Sequence, residues 1–268
     1  MDILIHTFSG IAVASTIAHL VPAEEKRSLS IIGIGALGGA LPDFDAISLW
    51  SKFDDTIGTW LQLADNGRNI YFNTFPYSHH GAMHSLVFPL LLVTLAWLFS
   101  TLVSRIRGRS VSTLSSKWKR NKWHIITFVA AYFLHVLEDL PTPGSVWGGV
   151  NLWWPTDTWV GGYGCIWWWN NYDLFLIICG IIVLNVMLLV IRKMSKRSLS
   201  KMALVVFFAG ISLGVKQIAT RGYDFDYEGF STDYSTMEQK SKDIQREILG
   251  ETVYSWMEEF DNHVPLNF

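Results

Sequence analysis

Apolar residues run in long blocks along this chain, separated by polar connections of uneven length. The blocks at 86–104, 174–191 and 202–218 each approach the roughly 20 apolar residues that a membrane-spanning helix needs. A fourth, 123–138, is as strong but carries His135 and Glu138 near its end. Two more, 3–21 and 29–41, are weaker. The second is short and glycine-rich (Gly33, Gly35, Gly38, Gly39), which predicts a tightly packed or re-entrant helix whose backbone is covered by protein neighbours. The pattern predicts an all-α, polytopic membrane bundle of about six helices over residues 1–218. A polar, acidic tail follows over 219–268. Ile244, Ile248, Leu249, Thr252 and Trp256 recur there at helical spacing, which predicts an amphipathic helix lying on the outer surface or over a site, against the plainer alternative of a solvated appendage.

Composition agrees. Half of the 268 residues are hydrophobic and only 16% are charged, as in a protein that turns apolar faces to lipid. Asp2 is the only charge before Glu24, so the first block lacks the basic start of a signal peptide and reads as a retained helix. Cys165 and Cys179 form no metal motif, and no disulfide between them is expected.

Charge adds an orientation. The connections 22–28, 105–122 and 192–201 hold 14 of the 21 Lys and Arg residues, whereas 42–85 and 139–173 hold only Lys52 and Arg68. The positive-inside bias assigns the three basic connections to the cytoplasm and both termini to the outside. Ionisable residues then sort to one side. His6, Asp43, Asp45, His79, His84, His135 and Asp139 all fall at outer helix ends, which predicts one site at the outer membrane face.

Each element of that set is weak alone. His135 and Asp139 are four apart and share a helix face. Asp43 and Asp45 flank one residue after Pro42, in a turn that can aim both carboxylates alike. His79 and His84 are brought together only if Gly81 makes a loop. Ionisable groups beside a bilayer need partners and mark function. Imidazole with carboxylate suits zinc, or manganese where oxygens dominate. Seven such ligands could hold one or two divalent ions, which would activate water and clamp substrate oxygens. His80, next to the cluster, is the candidate for contacting a developing negative charge on the substrate or for supporting a ligand. Glu138 is the candidate general acid or base. His19 and His124 map to the cytoplasmic side as structural residues, and His263 to a solvated charge cluster. The outer connection 139–173 holds seven of the 13 tryptophans, which predicts an interfacial aromatic belt that could also line a lipid-facing cleft.

These motifs resemble the membrane-bound, metal-dependent hydrolase family that includes LexA-regulated, YdjM-like inner-membrane proteins. The matches are His6; Leu41-Pro42-Asp43-Phe44-Asp45; His79 to Ser85; His135 to Asp139; Thr142-Pro143; and Trp154-Pro155. They cover roughly residues 1–155. His80 stands where the family pattern has Arg, and Met83 where it has Thr. The resemblance implies a metal-dependent hydrolase of the inner membrane, with His79 filling the first position of the His-Gly segment. A more distant likeness of site type links the pattern to zinc-dependent phospholipase C. The expected substrate is a phosphoester of a lipid, or a lipid-linked phosphate, with membrane lipid as partner and no nucleic acid. A metal-ion or proton transporter using the same His/Asp cluster is the alternative.

Overall fold

In the computed structural model residues 3–21, 25–108, 111–221, 224–225, 229 and 233–264 are described; Arg109 of the basic connection and parts of the acidic tail fall outside them. The longer helices among the described residues are α1 (Ile3–Ala18), α2 (Glu25–Ala40), α3 (Phe88–Ile106), α4 (Val111–Arg120), α5 (Lys122–Asp139), α6 (Tyr172–Ser195), α7 (Ser200–Ala219) and α8 (Tyr234–His263). Extended pairing in that set is limited to the isolated bridges Pro143–Tyr163 and Val150–Val160. The chain is all-helical, as its apolar blocks predict.

Helix α1 is the hub. It contains no Lys, Arg, Asp or Glu, is buried along most of its length, and packs against α2, α5 and α6. Its partner α2 comes unusually close. A Cβ on Gly10 would fall 2.2 Å from the Gly35 carbonyl oxygen, and one on Gly39 would fall 2.2 Å from that of His6. Only glycine lets two backbones approach so closely. Val13, Ala14, Ile17 and Ile31 fill the seam below this contact.

By length and apolarity α3, α6 and α7 qualify as membrane spans, and α2 with the 3-10 turn Pro42–Leu49, bent from it by 51°, makes a fourth. Leu95, Leu98, Val205 and Phe208 stand exposed on α3 and α7, an apolar surface suited to lipid tails. Six spans are predicted from the sequence, and the difference has a physical cause. Helix α1 has 16 residues, about 24 Å of helix at 1.5 Å per residue, short of the ~30 Å hydrocarbon core. Helix α5 carries Lys122, His124, Glu138 and Asp139 near its ends. Helix α1 lies inside the bundle, where neighbours rather than lipid cover it, whereas α5 packs one side on α1 and α2 and exposes Ile126 and Leu137.

The basic connections meet at one end. Arg192 of α6 donates to the carbonyls of Ala18 and Val21 at 3.0 and 2.5 Å, closing the end of α1. Arg27 donates to the Arg120 carbonyl at 2.9 Å, and Lys193 pairs with Glu25 at 2.7 Å. The candidate site gathers at the opposite end of α1, around His6.

The structure refines two expectations. Of the seven indoles in the tryptophan-rich connection, Trp147 and Trp167 are buried, Trp154, Trp159, Trp168 and Trp169 are half-buried, and Trp153 is exposed. Trp167 is buried against Phe225 and Ile244, with Trp168, Trp169 and Tyr234 alongside. An indole removes more apolar area from water by such packing than by lying flat on a surface. The tail is neither solvated nor a single amphipathic face. Gly250, at φ 73° and ψ 159°, breaks α8 and shifts its register. Ile244 and Leu249 pack inward before the break, and Tyr254 and Met257 after it. Ile248, Thr252 and Trp256 are exposed. The buried Asp173–Arg221 pair, 2.6 Å apart, ties the chain after α7 to the start of α6, and Gln245 of α8 accepts from the Asp173 backbone N–H at 3.0 Å.

Candidate metal centre

Four stretches of chain converge at the end of α1. Pro42 lacks the N–H to continue α2, so the backbone tightens into the 3-10 turn that presents Asp43 and Asp45. Gly81 closes the loop that carries the histidines. A Cβ there would lie 2.7–2.8 Å from the carbonyl oxygens of Pro76, Phe75 and Ser78, so this curl requires glycine. The curl delivers His79, His80 and His84 together. Helix α5 supplies His135, Glu138 and Asp139 in its last turn, and the Tyr132 hydroxyl donates to the Met83 carbonyl to fix the loop against that helix.

The geometry resolves into an inner group and its supports. His84 Nε2 and His135 Nε2 lie 3.3 Å apart. Asp43 Oδ1 is 3.5 Å from the first and 3.6 Å from the second. Asp139 Oδ2 is 3.7 Å from the first and 3.3 Å from the second. A tetrahedral shell with bonds of about 2.0–2.2 Å spaces its ligand atoms by about 3.3–3.6 Å, so Asp43, His84 and His135 can share one small divalent ion, while Asp139 lies beside them and groups with His6 and His135. His6 stacks on His135 with ring centroids 3.7 Å apart. Its Nδ1 meets Glu138 Oε2 at 2.9 Å and its Nε2 lies 3.1 Å from Asp139 Oδ1. Asp45 stands between two histidines, 2.7 Å from His79 Nδ1 and 3.0 Å from His84 Nδ1; the first contact is a hydrogen bond, and the second lacks the alignment of one.

The hydrogen bonds settle which nitrogen each ring can offer. Nδ1 of His6 donates to Glu138, that of His79 to Asp45, that of His80 to the Gly149 carbonyl at 3.1 Å, and that of His135 to the Gly39 carbonyl at 2.6 Å. An imidazole whose Nδ1–H is donated in this way presents Nε2 as its ligand atom. His6 Nε2 and Asp43 Oδ2 are buried with no hydrogen bond, a costly state for polar atoms unless something else occupies their lone pairs.

Charge points the same way. Burial opposes a proton on His84, but Asp45 and Asp43 outweigh it and raise the imidazole to about 10. A proton there takes the position that a metal cation would take. His80 goes the other way: burial, then the neighbouring His79 and His84, push it well below its ordinary value. With Nδ1–H given to Gly149, neutral His80 turns a lone pair, not a proton, outward from Nε2.

All nine residues singled out from the sequence gather here. Glu138 holds His6 rather than standing open to a substrate, and Asp45 braces rings from behind. Sequence reasoning missed Tyr71, which stacks on His79 at 4.6 Å with the rings 10° apart. It also missed the carbonyls of Gly39 and Gly149, which no side-chain pattern could reveal. Trp147 closes the other wall, 4.6 Å from the His80 ring, with its indole N–H donated to the Tyr71 carbonyl at 2.8 Å. His19 and His124 are elsewhere: the first bonds the Asn185 carbonyl at 3.0 Å and the second the Ser30 hydroxyl at 3.1 Å.

The fold and site define an all-helical membrane protein with buried His/Asp groups able to hold a metal ion. The chain belongs to the YdjM inner membrane protein family, whose model matches residues 1–223. No curated protein and no solved structure matches it.

Proposed function

We propose that this chain is a membrane-bound, metal-dependent hydrolase that cleaves a phosphoester of a lipid or lipid-linked substrate at the outer face of the inner membrane. The observation that carries this reading is the anchoring of four imidazoles through Nδ1, with His84 held beside Asp45, around the carboxylates of Asp43 and Asp139. Purely structural histidines have no reason to share one tautomer around a common point.

Asp43, His84 and His135, with Asp139 beside them, would hold the ion, zinc or manganese by their donor set. When bound, a divalent metal lowers the pKa of water and polarises a phosphoryl oxygen. The chain's own residues do the rest. Glu138 orients His6, whose Nε2 lies beside Asp139 as a further candidate ligand. Asp45 aligns His79 and His84. Tyr71 and Trp147 wall off water. In the reaction a water oxygen bonds to phosphorus, the P–O bond to the leaving alcohol breaks, and that alcohol takes up a proton. The lipid assignment is supported by Phe44, Ile47 and Trp50, exposed apolar residues on the same turn that carries Asp43 and Asp45. The test is turnover by purified protein on lipid phosphates and soluble phosphodiesters, abolished by a chelator and restored by zinc or manganese.

One observation favours transport instead. Ser9 on α1, His19 just past its end and Asn185 on α6 each bury a polar atom without a hydrogen bond. Such atoms inside a bundle suit an ion or proton path. Metal or proton flux into proteoliposomes, with no hydrolysis of any phosphoester, would move the assignment to a transporter.

A further inference from the structure

The inner group leaves donors over. Asp43, His84 and His135 can hold one ion, with Asp139 beside them, yet His79 and His80 also turn Nε2 away from their anchors. Each of His79, His80 and His84 offers a ligand atom within 4.8 Å of the others. The His79 ring centroid lies 4.3 Å from that of His80 and 4.8 Å from that of His84. His80 takes a left-handed backbone, φ 62°, which L-residues rarely adopt. It is held there at two points: its carbonyl accepts from the Asn151 N–H at 2.8 Å, and its Nδ1 donates to Gly149. With Nδ1 given to Asp45 and to Gly149, His79 and His80 keep Nε2 for a further ligand beside His84.

We propose that His79 and His80 hold a second divalent metal beside His84, so that the centre takes two ions and His80 is a ligand rather than a substrate contact. This rests on the metal-centre reading above. The two positions differ in chemistry. The first has two carboxylates, which manganese accepts as readily as zinc does. The second is rich in imidazole, which favours zinc, cobalt, nickel or copper over manganese or magnesium.

The test is a metal count. Full-length protein, purified in detergent and stripped, is reloaded with Co2+ and analysed by elemental analysis and visible absorption. Wild type should bind two equivalents. His80→Gln and His80→Arg should each bind one, and His135→Ala should lose the other position, with a different residual spectrum. Wild type saturating at one equivalent, or His80→Gln retaining two, overturns the proposal and leaves the first position standing. Wild type binding none overturns the metal centre itself. Size-exclusion elution reports whether the variants fold. If they do not, wild type alone decides: two cobalt ions at the about 3.5–4 Å separation of two-metal sites couple magnetically, so an electron paramagnetic resonance signal that merely doubles with the second equivalent sinks the idea.

Discussion

His84 Nε2 and His135 Nε2 face each other across 3.3 Å, from a loop and a helix 51 residues apart. His135 has already given its Nδ1–H to Gly39, so its Nε2 can only accept. Without a metal, a proton on His84 bridges the pair. With one, the same separation matches two ligands of a single ion. The contact is therefore a place where proton and metal exclude each other, and the first two predictions follow from it.

His135→Ala and Asp139→Ala should each empty the first metal position while leaving membrane insertion intact, because each removes one of its candidate ligands. Glu138→Gln keeps the shape but weakens the hold on His6 and should lower metal affinity by about 10–100-fold, the usual effect of losing a supporting partner. His19→Ala and His124→Ala, whose rings bond elsewhere, should keep full metal content. Elemental analysis of the five variants decides, and equal loss in the two controls contradicts the assignment.

Metal affinity should depend steeply on pH. In the metal-free protein His84 is raised to about 10, so at neutral pH metal must displace its proton. Affinity should rise about tenfold per pH unit between about 6.5 and 10, where one proton is released per ion bound, and level off above. The same shift sets the sign for stability. Charged His84 stabilises the metal-free fold fully below its unfolded value near 6.5, and the contribution fades as pH rises through about 10. Competition with a chromophoric chelator across this range measures the slope. A flat profile contradicts a titrating ligand.

The α1–α2 seam should be intolerant of a single methyl group. Gly39→Ala places a Cβ 2.2 Å from the His6 carbonyl oxygen. Relieving that overlap moves either α1 with His6 or the Gly39 carbonyl that anchors His135. Overpacking of this kind costs about 1–3 kcal/mol, so the thermal midpoint should drop and metal content fall with it. Gly33→Ala, where a Cβ meets nothing within 4 Å, should leave metal content unchanged and hold or slightly raise the midpoint, since alanine suits a helix interior better than glycine. A Gly39→Ala protein with unaltered metal and midpoint would show that the seam yields freely.

Most of the fold was legible because apolar blocks of spanning length admit few alternatives in a bilayer. The site was legible because His and Asp residues sorted to one side of that topology. What remained hidden is tertiary. Asp45 reads as a ligand beside Asp43, and the fold adds that its carboxylate lies between His79 and His84. His80 reads as a substrate contact, and the fold adds that its Nδ1 bonds the Gly149 carbonyl. The inward fold of Trp167 depends on Phe225 and Ile244, far along the chain, and the register shift at Gly250 could not be seen in a helical spacing count. Each miss comes from a partner more than 30 residues away, or from a backbone angle that only glycine signals.

The tail should be a structural part of the bundle. Asp173 and Arg221 are each 3% exposed and paired at 2.6 Å, with Arg221 also donating to Asn171 at 3.1 Å and Gln217 to Asp173 at 3.2 Å. Asp173→Ala strands a guanidinium in a buried site. Breaking one partner of a buried pair is destabilising by about 3–5 kcal/mol, so the thermal midpoint in detergent should fall clearly. The double variant Asp173→Ala with Arg221→Met removes the stranded charge and should recover part of that loss. The pair lies outside the His/Asp cluster, so metal content per folded molecule should stay at the wild-type value in both. If Asp173→Ala melts like wild type, the pair does not hold the tail; if the double variant is worse than the single, the guanidinium is stabilised by Asn171 alone.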